Sequence, residues 1–361
     1  MANVIKIKKG LDINLKGKAS DVLLNGGKSD SYAIVPDYYN GIVPKVVAKV
    51  GEKVKAGSVL MIDKNRPEIK FVSPVSGEVT AVNRGEKRKV LSVVVKPEAQ
   101  IEYEDFGKKN VASLKREEVK EAILHAGMWP FIKQRPYDIV AAPLDTPRDI
   151  FVSAFYSAPL APNFDFIVKG QEADFQTGLN ALAKLTNGKV YVGVRSGSVV
   201  SGMKGVEIVE VEGPHPAANV GVQINHIKPV NKGEVVWTVN PADVIVIGRL
   251  FNKGVADFSR MVAITGSETT ERGYVKTISG CTIKSLVNGK VLGQEHIRII
   301  SGNVLTGTKV NMDGYLGAYD NQITVIPEGD ETHEFLGFAM PRFNQFSASH
   351  SYFSWLGTRS E

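Results

Sequence analysis

The sequence predicts an α/β chain of several domains: a flattened β barrel, then a parallel sheet covered by helices, then a small β-grasp unit. Three patterns carry this. Short valine-rich runs broken by glycine fill Pro44 to Lys96, strand-like and helix-like segments alternate from Asp149 to Gly254, and strands with one short helix return between Met261 and Val287. The chain has 361 residues, enough for two or three domains. Its 43% hydrophobic and 23% charged content is ordinary for a globular protein.

Before the barrel, Asp21-Val-Leu-Leu-Asn-Gly-Gly and Ser31-Tyr-Ala-Ile-Val-Pro read as turn-punctuated strands. The turn Asp37-Tyr38-Tyr39-Asn40-Gly41 offers two tyrosines that either cap the barrel or meet a ligand. In the barrel, Val46, Val50, Val54, Val59 and Leu60 sit in runs separated by Gly51 and Gly57. A second half opens at Ser73-Pro74 and turns at Ser76-Gly77. Val50-Gly-Glu-Lys-Val54, Ala56-Gly57, Leu60 and Ser73-Pro-Val-Ser-Gly77 together resemble the biotinyl and lipoyl carrier domains. Carriers hold a modified lysine at a hairpin tip. Here that position falls on Arg66, whose guanidinium stays protonated and cannot be acylated, so the resemblance implies a barrel without carrier chemistry.

From Ser113, a plausible N-cap, a short helix runs past Glu117, Glu118, Val119 and Ile123 to Gly127. Met128 to Tyr137 carries Pro130 and Pro136 and reads as a bent amphipathic connector. Asp149–Ala154 is a strand, and Phe175, Leu179, Leu182 and Leu185 share one helical face before the Gly188 stop. Strands follow at residues 189–194 and 206–211. Asn240 then caps a helix with Pro241 at its first position and Gly254 beyond its end. Such a β-α-β succession is Rossmann-like, yet no G-x-G-x-x-G or G-x-x-x-x-G-K-[ST] occurs.

The last strands surround Cys281, read as a buried small hydrophobe, and Ser301–Gly307 is glycine-rich. One cysteine excludes an internal disulfide, and the default compartment is the cytoplasm. No signal-peptide run opens the chain, and no apolar run reaches the roughly 20 residues of a bilayer span. The net charge of +6 favours acidic partners or anionic headgroups. Basic residues cluster at Lys6, Lys8 and Lys9 and at Arg84, Lys87, Arg88 and Lys89, with no interleaved aromatics, which argues against nucleic acid.

Taken together, Ile5-Lys-Ile-Lys-Lys-Gly-Leu-Asp12, Asn83-Arg-Gly-Glu-Lys-Arg88, Arg135-Pro136, Gly213-Pro-His-Pro-Ala217, Asp243-Val-Ile-Val-Ile-Gly248, Ile300-Ser-Gly-Asn-Val-Leu305 and Tyr315-Leu-Gly317 with Asn321-Gln322 resemble one family. It is the A-subunit family of the sodium-translocating NADH:quinone oxidoreductase. The resemblance divides the chain at residues 1–104 (biotinyl/lipoyl-like barrel-sandwich with N-terminal strands), 105–137 (connector), 138–258 (Rossmann-like α/β), 259–335 (β-grasp, SLBB-like) and 336–361 (the start of a truncated C-terminal region).

It further implies a peripheral subunit on the cytoplasmic side of the bacterial inner membrane, partnered with the membrane subunits of a translocase that oxidises NADH, reduces ubiquinone or menaquinone and exports sodium. Flavins and iron–sulfur centres are expected on other subunits: Met128–Pro136 stands where related chains keep a glycine-rich loop, and one cysteine cannot hold a four-thiolate cluster. No catalytic or metal-binding residue is assigned. Quinone contacts are implied near residues 35–42 and 132–139. Tyr38, Tyr39, Phe131 and Tyr137 are ring-stacking candidates, Val35, Ile42 and Ile132 apolar ones, and Lys133 and Arg135 attractors of a quinol anion. The same residues equally suit a subunit interface, and the isolated chain is then a scaffold. His215, between two prolines, is a further contact candidate or a rigid turn. Ala318 and Asp320 depart from the family's Arg and His, which removes support for an ion-pair or proton role there.

Overall fold

The computed structural model describes residues 3–293, 295–330, 340–343 and 352–353. In chain order the first strands are β1 (Asn3–Lys6), β2 (Leu23–Leu24), β3 (Tyr32–Ile34), β4 (Pro44–Val46), β5 (Lys53–Val54), β6 (Val59–Asp63), β7 (Lys70–Val72), β8 (Gly77–Arg84) and β9 (Val90–Pro97). Sheets β3-β9-β8-β5 and β4-β6-β7 face each other as the expected barrel-sandwich, closed over Leu60, Met61, Val79, Val93 and Val95. Its two N-terminal strands pair elsewhere, contrary to their position in the sequence.

The middle of the chain supplies α1 (Arg116–His125), β10 (Ile132–Arg135), β11 (Ile139–Val140), β12 (Ile150–Ser153), α2 (Phe164–Val168), α3 (Glu172–Leu185), β13 (Val190–Val194), β14 (Glu207–Glu212), α4 (Val220–Ile227), β15 (Val236–Val239) and α5 (Pro241–Lys253). Its seven-stranded sheet runs β1-β14-β13-β12-β15-β10-β11. The first five are parallel, with β1 at one edge beside β14; β10 is antiparallel to both of its neighbours, β15 and β11. The expected connector is therefore partly a sheet strand: Pro130 and Pro136 flank β10 and cost its ladder nothing. Lys115, two residues after the expected Ser113, caps α1, its N–H donating to Glu118 Oε2 at 2.7 Å. The Asn240 cap and left-handed Gly254 bound α5 as anticipated.

Helices α3 and α5 touch through glycine. A Cβ on Gly248 would overlap the Asp174 carbonyl, and one on Gly178 the Val244 carbonyl. Gly248→Ala is expected to lower stability by about 1–3 kcal/mol, read by urea unfolding, because backbone cannot yield as a side-chain tip can. An unchanged midpoint would mean that the helices separate freely.

The last unit has β16 (Ser259–Thr265), β17 (Gly273–Ile278), α6 (Ile283–Val287), β18 (Ile297–Ser301), β19 (Thr308–Val310) and β20 (Gln322–Pro327), ordered β19-β18-β20-β16-β17-β2. Strand β2 thus adds a parallel edge beside β17. Cys281 is free and fully buried, as read from the sequence. One apolar cluster runs through all three units, so they share a core. Among the described residues no helix is long and apolar enough to cross a membrane. The expected C-terminal region lies outside the described residues except at 340–343 and 352–353.

Candidate functional site

The three units meet at an aromatic junction. Tyr39, one of the two turn tyrosines, is half-buried: its ring lies 4.7 Å from Phe71 of the barrel and 5.7 Å from Tyr319 of the last unit, both edge-on. Tyr319 donates to the Pro130 carbonyl at 2.7 Å, and Lys133 Nζ sits 4.1 Å above its ring. Phe131 packs 6.0 Å from Phe258 and 6.4 Å from Tyr319. Burial pushes the Tyr319 phenol well up and Tyr38 up to about 12, so both stay neutral donors at physiological pH. Tyr38 is half-buried against Gly317.

A narrow cleft beside this junction is lined by Val35, Tyr39, Phe71, Phe131, Phe258 and Leu316. Its cavity is about 40 Å³, room for one water and too small for a ring. The structure therefore gathers Tyr39, Phe131 and Lys133 around Tyr319, with Val35 on the adjoining cleft and Tyr38 against Gly317. It separates the rest. Ile132 is fully buried in the sheet, Ile42 packs half-buried on the core, and Tyr137 is 80% exposed. Arg135 pairs with Asp138 at 3.4 Å and approaches Gly221 of α4. His215 is remote in the chain's architecture, holding Ser157 Oγ through Nδ1 at 3.0 Å while its backbone N–H donates to Asp12 at 2.8 Å.

Behind the junction lies a buried polar group that reading the sequence did not single out. Arg260 Nη2 donates to Asp243 Oδ1 at 2.9 Å, both side chains being at most 1% exposed. Arg260 Nη1 also reaches the Asp320 carbonyl and Asn321 Oδ1 at 3.3 and 3.4 Å. Asn321 donates to Tyr156, and Tyr156 to Asn240, each at 3.0 Å. Asp243 Oδ2 and Arg260 Nε are buried without a hydrogen-bond partner among the described residues. Burial, partly offset by Arg260, pushes the Asp243 carboxyl up to about 6. The signal was present: Asp243 and Arg260 are lone charges in apolar runs, which implies opposite-charge partners. Asp320, one of the two departures, is boxed against Gly302 and Gly317 with its Oδ2 accepting from Ser301 at 2.7 Å.

A larger cavity, about 580 Å³, opens at the carboxyl ends of β12 and β13, where open α/β sheets commonly bind ligands. Its wall Ala158-Pro-Leu-Ala-Pro162 has two residues without an N–H, and Asp12, Asp21 and Asp165 line it. Lys18 and Arg195 line it too, so its charge is mixed, and the prolines remove two of the backbone donors that would cradle a phosphate. Among the described residues no side-chain cluster has metal-binding composition.

Models of an NqrA N-terminal barrel-sandwich hybrid domain, an NqrA second alpha/beta domain and an NQRA C-terminal domain match residues 5–98, 114–256 and 261–312. These matches bear out the three-part fold expected from the sequence. The chain is similar to the A-subunit of the Na(+)-translocating NADH-quinone reductase of Aliivibrio salmonicida, 38% identical over 355 residues, covering 97% of this chain and 79% of the relative. The same subunit of Hahella chejuensis is 37% identical over 359 residues, covering 98% and 80%. That of Vibrio parahaemolyticus is 36% identical over 358 residues, with the same coverage. A solved NAD+-reducing [NiFe]-hydrogenase in the H2-reduced state is 11% identical, with a TM-score of 0.39, over 58% of this chain and 47% of the hydrogenase chain.

Proposed function

Because the chain belongs to the NqrA family, the A-subunits of the Na(+)-translocating NADH-quinone reductase, we propose that it is a peripheral subunit on the cytoplasmic face of that complex, contributing assembly and a quinone contact. The observation that carries this is the junction itself. Tyr39 and Phe131 line one cleft, and Tyr319, with the Lys133 cation over its face, packs against both rings from the last unit; a quinone head group needs stacking faces and a cation to hold its reduced anion. Redox chemistry belongs to other subunits in this reading. The same reading gives the chain no flavin or nicotinamide and the isolated subunit no turnover of its own, in keeping with the missing glycine-rich phosphate motifs.

The cavity of about 40 Å³ means that a ring enters only when the barrel and the last unit part along the cleft. That same closure favours a second reading, a scaffold whose aromatic junction only joins domains. Titrating the chain with a short-chain quinone, followed by calorimetry and by emission of the buried Trp129, separates the two. One saturable site, lost in folded Tyr39→Ala and kept in Tyr39→Phe, is the expected result. Unchanged binding in Tyr39→Ala moves the contact elsewhere. No saturable binding leaves the scaffold.

A further inference from the structure

The hairpin joining β8 to β9 ends in a turn built against its own backbone preference. Lys87 has φ 52° and ψ 28°, and Arg88 has φ 61°. Both central residues of the Glu86–Lys89 turn are therefore left-handed, and the Lys89 N–H donates to the Glu86 carbonyl at 3.1 Å. This is a type I′ conformation, for which Asn-Gly is the favoured pair. Side chains with a Cβ are disfavoured there, and long cations gain nothing local in return. Arg84, Lys87, Arg88 and Lys89 are all exposed. Lys89 is held by Asp37 at 2.6 Å, whereas the other three have no carboxylate in ion-pair range among the described residues. Backbone strain kept at a site marks a candidate for function.

We infer that this hairpin tip docks the chain on anionic lipid headgroups. The tip is convex and carries no aromatic anchor. A protein interface core is built around such anchors, while a diffuse anionic surface needs only unpaired cations at its level. Leu91, 42% exposed beside Gly85, gives the tip one apolar foot. The Lys89–Asp37 pair ties the tip to the turn bearing Tyr38, so docking brings the cleft side of the molecule to the membrane. The inference stands on the hairpin alone and does not need the quinone reading.

The test is a substitution that improves the turn while removing its charge. K87N/R88G installs the pair that a type I′ turn favours, so its thermal midpoint is expected to stay level or rise. Its binding to phosphatidylcholine vesicles containing phosphatidylglycerol is expected to weaken about thirtyfold for two lost charges. The parent chain is expected to sediment with those vesicles, to release them in high salt, and to ignore phosphatidylcholine alone. Equal binding of K87N/R88G and parent, or no binding by the parent, overturns the inference. So does charge-dependent binding to the purified membrane subunits in detergent without any to vesicles, which would give the tip to an acidic protein face.

Discussion

Arg66→Met is expected to lower the stability of the chain by about 3–5 kcal/mol, the cost of stranding a buried carboxylate. Arg66 occupies the hairpin tip where a carrier domain would present its modified lysine, and its guanidinium points inward. Its Nε donates to Asp63 Oδ2 at 2.8 Å, Nη1 to the Val140 carbonyl at 3.1 Å and Nη2 to the Gly41 carbonyl at 2.9 Å. One side chain thus fastens β6 of the barrel to β11 of the α/β sheet and to the turn after Tyr39. Asp63 is itself 1% exposed and accepts the Val43 and Asn65 backbone N–H groups, so it cannot swing out to water when the cation leaves. Arg66→Lys keeps the charge and is expected to recover less than half of the loss, because an ammonium on a single stem cannot span three acceptors set in a plane. Urea unfolding by circular dichroism gives both numbers. Full recovery by lysine would reduce the clamp to a simple charge contact.

What the sequence made legible was local. Asn240-Pro241 and Gly254 bound a helix by cap chemistry, and Phe175, Leu179 and Leu182 announce a buried helical face; both depend on neighbours within a few turns. The barrel follows from glycine and proline placed at its turns. Pairing over distance was not legible. The four residues of β1 and the two of β2 are too short to specify a partner, and theirs stand about 200 residues or more away, at β14 and β17. The burial of Tyr39 depends on Phe71 and Tyr319, which come from two different units, so its turn context alone left barrel cap and ligand contact both open. The site was half legible for the same reason. Tyr39, Phe131 and Lys133 come together, yet Tyr319, the ring they meet, lies in a segment whose aromatic gave no periodic signal.

Arg260→Met should be the most pH-sensitive variant of this chain. At pH 7 it removes the cation bonded to Asp243, a fully buried carboxylate, with an expected loss of about 3–5 kcal/mol. The sign with pH follows from the carboxyl. Burial raises Asp243 from the ordinary value of 3.8 to about 6 in the folded chain, against the opposing pull of Arg260. Between those values the folded state holds a proton that the unfolded state has released, so this group's contribution is fully present below about 4 and is lost as pH rises through 6. Without Arg260 the carboxyl rises further, and the loss continues above 6. Near pH 4 Asp243 is neutral in both folded proteins. The variant then lacks the arginine's hydrogen bonds to the neutral Asp243 carboxyl, the Asp320 carbonyl and Asn321, together worth about 1–3 kcal/mol. The gap between parent and variant is therefore expected to widen from pH 4 to pH 7, and Asp243→Asn, with no proton to exchange, is expected to lose the slope between 4 and 6. Urea midpoints taken across that range decide it: a gap that stays level would mean that Asp243 does not respond to Arg260, and a parent that does not fall relative to Asp243→Asn between pH 4 and 6 would mean that Asp243 is held ionised, with Arg260 outweighing the cost of its burial.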